Sequence, residues 1–432
     1  MTYSRLQLQY QGPITNLPLH AVEWLRRAKD RPRSLTLSNA NIPYECLQTW
    51  ASAIFDNVIT RFPFRRLVLH LPSSHVLQLF RLPSEVFAHL QSLEISVQPL
   101  LHLQEGPPPM FYPSTILPNL ESLCLYGFWM PGCLQTGLEW NKVRYIALLS
   151  DRGLRCSTCL DILRQCSAVE HFKVVVWDDE NSSTRQMDTP IILPMLITLE
   201  LIFRSNHMEP LFRTLTMPNL ERCSIDHSPV FLRHLSTMFG EMARRSSCMP
   251  RLRQLALYGI SGEYHLDEVI PYVPSLVFLK IDGYGLAPMN DRMIHDMAAG
   301  KLLPKLRRLD ISVDSGKEAD KILSFATLRL QRCKDVDGDE NVVGCGEDAT
   351  DAYDSEDDVE EDDDEFDGYD MGEYNEDDQD YGHIGDDNEV SLCKVILIVV
   401  LQMTRRERVR LQQRSNILRN AGIRACVSRS RW

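Results

Sequence analysis

The chain has 432 residues, of which 44% are apolar, and a net charge of −13. A chain of this length is too long to fold around a single ordinary hydrophobic core, so the length predicts two domains or an array of repeats. The charge is unevenly placed, because residues 335–389 contain 27 Asp and Glu and no Lys or Arg. Residues 390–432 contain ten Lys and Arg against one acid. The remaining 334 residues are nearly neutral, so the acidity belongs to one segment and not to the folded body.

The chain begins MTYSRLQLQYQGP, which lacks the apolar stretch of a secretory signal peptide. The twelve Cys are scattered through apolar segments and are not crowded together. This distribution favours reduced thiols that pack as small core residues. We therefore expect an intracellular protein, either cytoplasmic or nuclear.

One frame of eleven residues occurs twice, as LPNLESLCLYG at 117–127 and as MPRLRQLALYG at 249–259. Its pattern, L-x-x-L-x-L, recurs in twelve phased copies with a mean spacing of about 27.5 residues. A period of this length with this pattern is the signature of leucine-rich repeats. The first apolar positions of the copies are Tyr3, Pro32, Phe64, Leu90, Leu120, Val143, Val169, Leu196, Leu220, Leu252, Leu276 and Leu306.

Each copy is expected to form a short strand whose alternate residues point inward. Helical periodicity follows several strands, at 19–30, 228–246, 265–273 and 290–301. The sequence therefore predicts an α/β fold over residues 1–330, an irregular leucine-rich-repeat solenoid with a parallel concave sheet and convex helices. We expect its inward leucines to be buried, including Leu123, Leu125, Leu199, Leu201, Leu255, Leu257, Leu306 and Leu309.

Four residues have the spacing of a zinc site, C-x2-C-x6-C-x4-H: Cys156, Cys159, Cys166 and His171. Cys159 and Cys166 lie seven residues apart on a predicted helix, where packing requires apolar residues, whereas His171 falls on the following strand. Packed thiols are favoured over zinc, and no cofactor is predicted. The phosphate-binding, dinucleotide-binding, serine-hydrolase and zinc-protease motifs are missing from the sequence. We therefore expect a protein without enzymatic activity.

The natural binding surface of a solenoid is its concave face. Side chains there alternate with the buried leucines, and the later repeats offer more charged and aromatic ones. Aromatic residues and Arg are favoured anchors of protein interfaces. For any single residue, a solvated polar face is the alternative. The candidate residues for binding a protein, whose identity is unknown, are Tyr126, Glu200, Arg222, Asp226, Tyr258, Lys280, Asp282, Arg308 and Asp310.

Residues 331–389 are predicted to be a disordered acidic tract, which either solubilises the protein or binds basic proteins such as histones. Residues 390–432 combine a short apolar run, VILIVVLQM, with a basic tail and are not assigned to the fold. The run is too short to span a membrane. Three interpretations of the basic end are left open: a nuclear-import signal, a partner of the acidic tract, or a mispredicted exon. We expect that removing residues 335–432 leaves the stability of the solenoid nearly unchanged.

Several lines resemble fungal F-box/leucine-rich-repeat proteins of the expanded set in mushroom-forming fungi. The lines are AVEWLRRAKDRPRSLTL (21–37), CLDILRQCSAVEHFKV (159–174) and the recurrent LP-x-L-x-x-L-x-L. The resemblance covers about residues 1–330. It implies substrate-binding repeats of a cullin ubiquitin ligase, in which an N-terminal F-box docks on a Skp-type adaptor.

The F-box itself is missing from this sequence. The segment LPSEVFAHL (82–90) resembles its start, but it runs directly into the repeat strand QSLEIS and is interpreted as a repeat helix. The Skp-type adaptor is therefore expected as a partner only if an F-box is restored upstream. The alternative is a scaffold without an F-box whose acidic tract binds histones.

Overall fold

A computed structural model describes most of the repeat region and part of the C-terminal segment. The described residues are 4–9, 17–27, 33–38, 49, 52–72, 76, 79, 82–98, 117–127, 138–150, 153–177, 189–204, 209–227, 235–247, 250–261, 266–284, 290–337, 395–402, 405–420 and 424–429. The predicted acidic tract lies almost entirely outside these residues, apart from the end of a helix that reaches Asp337.

The fold is mixed α/β and repeat-like, with one strand contributed by each successive stretch of about 30 residues or fewer over most of the chain. The strands are β1 Ser4–Gln9, β2 Arg33–Ser38, β3 Arg66–Pro72, β4 Ser92–Gln98, β5 Ser122–Tyr126, β6 Tyr145–Leu149, β7 His171–Val176, β8 Ile191–Ile192, β9 Thr198–Phe203, β10 Leu215–Thr216, β11 Arg222–His227, β12 Gln254–Ser261, β13 Phe278–Tyr284, β14 Arg308–Ser315, β15 Val395–Gln402 and β16 Arg424–Arg429.

Fourteen of these strands form one parallel sheet, in which spatial order follows chain order from β1 to β16. The two remaining strands, β8 and β10, pair with each other in a separate parallel sheet. Parallel neighbours require a crossover between strands, and several of the crossovers contain a helix. The helices are α1 Leu17–Arg27, α2 Cys156–Gln165, α3 Glu209–Thr214, α4 Leu235–Ser246, α5 Leu266–Val269, α6 Asp291–Ala298, α7 Gly316–Asp337 and α8 Arg405–Asn420.

The helices form a second layer in which neighbours pack on each other. α3 packs against α4, α4 against α5, α6 against α7, and α7 against α8. Short helices of other types also occur in the crossovers, namely a π-helix at Phe55–Ile59 and 3-10 helices at Ser84–Phe87, Trp140–Lys142 and Ile270–Tyr272. Each unit therefore covers the apolar face of the next.

Strand β9 shows how the core is built. Leu199, Leu201 and Phe203 are buried, whereas the residues between them are only partly covered. The register places Leu199 between Phe172 of β7 and Cys223 of β11, so the inward side chains stack from strand to strand. Each fully buried Leu contributes roughly 1.5–3 kcal/mol.

The predicted burial is confirmed for all eight leucines named above. The first apolar positions of the repeats are also buried, from Phe64 to Leu306. The first two of these positions, Tyr3 and Pro32, lie outside the described residues.

The two near-identical frames end in Tyr-Gly for a physical reason. Gly127 and Gly259 adopt φ of +72° and +68°, a conformation that side chains with a Cβ rarely adopt. A Cβ on Gly127 would also lie 2.6 Å from the carbonyl oxygen of Val97, one repeat earlier. The Gly127 N–H donates to the Leu149 carbonyl in the next repeat at 2.7 Å. Glycine at this position therefore lets the chain leave the strand while packed between two neighbouring repeats.

An Asn directly before the first apolar position of a repeat, at Asn119 and Asn219, links consecutive repeats. Asn119 Nδ2 donates to the carbonyl of Ala88 at 2.6 Å, and Asn219 Nδ2 donates to the carbonyl of Pro194 at the same distance. A hydrogen bond at the same place in two repeats shows that the sequence frame specifies contacts between units as well as burial.

The sheet continues past residue 330, which corrects the predicted boundary. β15 pairs with β14 from Val395 to Gln402, and β16 pairs with β15. On α8, Leu411 and Leu418 are buried. An apolar run too short for a membrane span is long enough for a strand, which is how the run from Val395 is used. Removal of residues 335–432 is therefore no longer expected to leave stability unchanged.

The F-box-like segment at 82–90 forms a repeat element, as predicted. Ser84–Phe87 is a 3-10 helix that leads into β4, and Leu90 is buried. Among the described helices, none has the length and apolar character needed to cross a membrane.

Candidate protein-binding face

The open face of the sheet carries the side chains that alternate with the buried ones. The parallel register aligns them in three rows across neighbouring strands, which are about 4.8 Å apart. The first row contains Arg66, Tyr145, His171, Arg222, Phe278 and Arg308. The second row contains Glu94, Lys173, Glu200, Lys280 and Asp310. The third row contains Tyr126, Asp226, Tyr258 and Asp282.

Ion pairs join neighbouring strands of the open face in the earlier repeats, one between the first and second rows and one within the second row. Arg66 lies 3.7 Å from Glu94 on the next strand, and Lys173 lies 2.9 Å from Glu200. These four side chains remain 28–56% exposed, so each pair contributes little to stability. Their effect is to fix the direction of long side chains on the face.

Small or apolar residues fill the second row between these pairs. Cys124 and Ala147 are buried even though they face the open side. Burial, together with the smaller effect of the neighbouring Glu94 carboxylate, raises the pKa of the Cys124 thiol to about 12. The thiol is therefore neutral at physiological pH and unsuited to nucleophilic chemistry.

An aromatic and basic group lies over β12 and β13. The Lys280 ammonium is 4.6 Å from the centre of the Tyr258 ring, within the range of a cation–π interaction. Next to Tyr258 the pairing of β12 with β13 shifts register, so Tyr258 and Gly259 lie opposite a shorter stretch of β13. Such a bulge changes the direction of a side chain at the end of a strand.

Two carboxylates flank Tyr258 in the third row. Asp226 is the register partner of Tyr258 on β11, and Asp282 lies on β13. Asp282 is exposed and accepts a hydrogen bond from Ser312 at 2.9 Å. Burial raises the pKa of the half-buried Asp226 above its usual value; Arg204 opposes this effect and Asp282 adds to it. The Asp226 charge is therefore incompletely compensated by its own chain.

Arg308 is held by its own strand and by the neighbouring one. Its Nη2 lies 2.9 Å from Asp310 Oδ2 and its guanidinium lies 4.9 Å from the centre of the Phe278 ring. Asp310 is only 5% exposed, so it cannot itself offer much contact surface. The prediction of Asp310 as an exposed contact residue is therefore corrected, since this residue positions the Arg308 guanidinium.

The other eight predicted binding residues also lie on the open face. Asp226, Tyr258, Lys280 and Asp282 are close together, whereas Tyr126 lies among earlier strands, beside Leu149. Those eight residues are Tyr126, Glu200, Arg222, Asp226, Tyr258, Lys280, Asp282 and Arg308.

Sequence reasoning missed seven contributors to this face, namely Arg66, Glu94, Tyr145, His171, Lys173, Phe278 and Ser312. Each lies one position from a buried residue, and counting every alternate position of every strand would have included them. Tyr145 and His171 form a further ring contact, with centroids 5.8 Å apart. Burial lowers the pKa of His171 below its usual value, so the ring is mainly neutral at physiological pH.

The cysteines of the possible zinc motif lie in the core. Cys156, Cys159 and Cys166 are at most 2% exposed and belong to the hydrophobic cluster beneath the sheet. Burial raises the pKa of Cys166 to about 12 and raises that of Cys159 well above its usual value. His171 points to the open face, on the other side of the sheet from the core. The motif is therefore divided between two sides of the sheet.

Neither a model of a known protein family nor a curated protein matches the chain. Among solved structures, this chain is similar to the crystal structure of a Bacteroides fragilis protein. The match covers 90% of this chain and 72% of that protein, at 11% sequence identity. The TM-score of 0.29 is too low to support an argument from that protein. We therefore base the function on the geometry of the chain itself.

Proposed function

We propose that this chain is a non-enzymatic protein-recognition module, an irregular leucine-rich-repeat solenoid whose open sheet face binds a protein. The observation that carries the proposal is the alignment of charged and aromatic side chains in three rows on one face. The residues that alternate with them are buried in the core. Solenoids use this kind of extended surface for binding. An intracellular location, cytoplasmic or nuclear, is part of the proposal.

The later strands are the favoured part of this face. Tyr258, Arg222 and Arg308 are of the residue types that dominate the binding energy of protein interfaces. Tyr258 and Arg308 already have fixed partners on the face, so little conformational entropy is lost when a partner binds them. In role, this surface resembles the substrate-binding repeats of F-box proteins in cullin ubiquitin ligases, and a Skp-type adaptor would need an F-box on the same protein.

Site-specific photo-crosslinking tests the proposal. Benzoylphenylalanine replaces Tyr258 on the open face or Tyr272 on the helix side, where the tyrosine is 43% exposed. We expect a specific crosslinked protein from position 258 and none from position 272. Equal crosslinking from both positions would contradict a binding function of the open face.

The acidic tract supports a second candidate function. Its 27 acidic residues between 335 and 389 would attract basic proteins such as histones. An internal deletion of residues 345–385 removes most of that charge and no described residue. If the tract carries the function, histone binding will be lost in this variant, whereas crosslinking from position 258 will persist.

A further inference from the structure

Across strands β11 to β14, the two outer rows of the open face carry opposite charges. Arg222 and Arg308 supply the first row, and Asp226 and Asp282 supply the third. Four residues separate these rows along a strand, which corresponds to about 13 Å. This part of the face is therefore basic near one end of the strands and acidic near the other.

Over β11 and β12 the middle row leaves room for another chain, whereas on β13 and β14 it contains Lys280 and the buried Asp310. On β11 and β12 the second row consists of Ser224 and Ala256, which are smaller than the residues at either end. Arg222 is exposed, and Asp282 is exposed as well. A segment lying along the strands can therefore contact both charged rows while its middle packs over small side chains.

Asp226 differs from the charged residues of the earlier repeats in how far its charge is neutralised. Lys173 and Glu200 pair with each other, and so do Arg66 and Glu94. In contrast, the Asp226 carboxylate forms no hydrogen bond or ion pair with any residue that the structure describes, and only the electrostatic effect of Arg204 opposes its charge. Charges left over on a surface are the ones available for a complementary partner.

We infer that the open face over β11 to β14 binds a bipolar segment of a partner protein, with acidic residues toward Arg222 and basic residues toward Asp226 and Asp282. This inference rests on the proposed function and specifies the charge order of the bound segment. In an extended segment the two charged ends are about four residues apart, because 13 Å spans four residues of a strand.

Two peptides of equal composition test the charge order. The first, EESSKK, separates its charges; the second, EKSSEK, mixes them at both ends. We expect the full-length protein to bind immobilised EESSKK about fivefold more tightly than EKSSEK at low salt, as weak exposed ion pairs allow. The acidic tract acts on both peptides alike, so it does not produce this preference.

Charge reversal provides the decisive control. Arg222→Glu should abolish the preference for EESSKK, because one end of the face then repels the peptide. The triple variant Arg222→Glu, Asp226→Lys, Asp282→Lys should restore it, since the peptide can bind in the opposite direction. If the triple variant does not fold, Arg222→Gln and Asp226→Asn should each reduce the preference by about twofold.

Equal binding of the two peptides by the folded wild-type protein would overturn the inference. A folded triple variant that lacks the preference would overturn it too. If crosslinking from position 258 succeeds while the peptides bind equally, the proposed function stands and only the charge order is wrong. If crosslinking fails as well, the open face is not the binding surface.

Discussion

The ammonium of Lys280 lies 4.6 Å from the centre of the Tyr258 ring, across two neighbouring strands of the open face. A cation–π contact between two partly exposed side chains is worth about 0.5–1 kcal/mol. It adds little to the stability of the sheet as a whole. It does hold an aromatic ring and a positive charge in a fixed arrangement on the face proposed to bind protein.

The difference in burial between two aliphatic residues that are close in sequence predicts very different effects of their substitution on stability. Leu199→Ala should lower the free energy of unfolding by about 2–5 kcal/mol, because Leu199 is fully buried. Ile192→Ala should change it by less than about 0.5 kcal/mol, because Ile192 is 64% exposed. Chemical denaturation measures both values. Similar losses in the two variants would show that the inward leucines do not form the core described above.

The repeated Tyr-Gly frame predicts a backbone effect. Gly127→Ala should destabilise the protein by more than about 1 kcal/mol, since its φ is +72° and the added Cβ meets the Val97 carbonyl. The matched control is Ser122→Ala at the first position of the same strand, where the side chain is half-buried. Equal melting temperatures for the two variants would rule out the tight contact between repeats.

Much of the fold could be predicted from sequence because each repeat has the same pattern of residues that must be buried. Alternating positions such as Leu123 and Leu125 indicate a strand with one buried side, and a period near 27 residues indicates stacking. The repeats beyond the acidic tract were missed because that tract interrupts the period. A signal was present, however. Ile396 of β15 and Ala425 of β16, which are register partners, are 29 residues apart, within the range of the earlier steps.

The binding face could be predicted only in part. Alternation identifies which side chains share a face, but it does not show which of them are covered. Asp310 illustrates the difference, because its carboxylate is buried against Arg308, two residues earlier on the same strand. The pKa of Asp226 also depends on side chains from other repeats, because Arg204 lowers it and Asp282 raises it. The spacing of residues along the chain does not give the distances between side chains of different repeats.

The burial of His227 predicts a specific dependence of stability on pH. His227 is buried near the Phe203 ring, and burial lowers its pKa to about 4 from the usual 6.5. The unfolded chain therefore binds more protons than the folded protein between these two values. The stability contribution is intact above about pH 6.5 and declines as the pH falls toward about 4.

His227→Phe isolates this contribution from the many other groups that titrate in acid. The free energy of unfolding should fall less in this variant than in the wild type between about pH 7 and pH 5. The comparison uses the difference between the two pH values for each protein, so a constant effect of the substitution cancels. Parallel curves for the two proteins would contradict the burial of a neutral His227.

The C-terminal strands predict that residues 395–432 stabilise the array. Their removal would leave β14 without its neighbour β15 and would break the ion pair between Asp320 on α7 and Arg410 on α8, which is 2.6 Å long. We expect the melting temperature to fall by more than about 5 °C. The deletion of residues 345–385 is the control and should change it by less than about 2 °C. An unchanged melting temperature after removal of 395–432 would show that these strands are not part of the fold.

The central claim is that the open face of the sheet binds a protein partner, and the affinity for the crosslinked partner tests it most directly. Tyr258→Ala should weaken that affinity by tenfold or more, as expected for an aromatic anchor worth about 1.4 kcal/mol or more. Tyr272→Ala, which removes an exposed tyrosine from the helix side, should leave the affinity within about twofold of the wild type. A loss of affinity in Tyr272→Ala with none in Tyr258→Ala would contradict the claim, because binding would then belong to the helix side of the molecule.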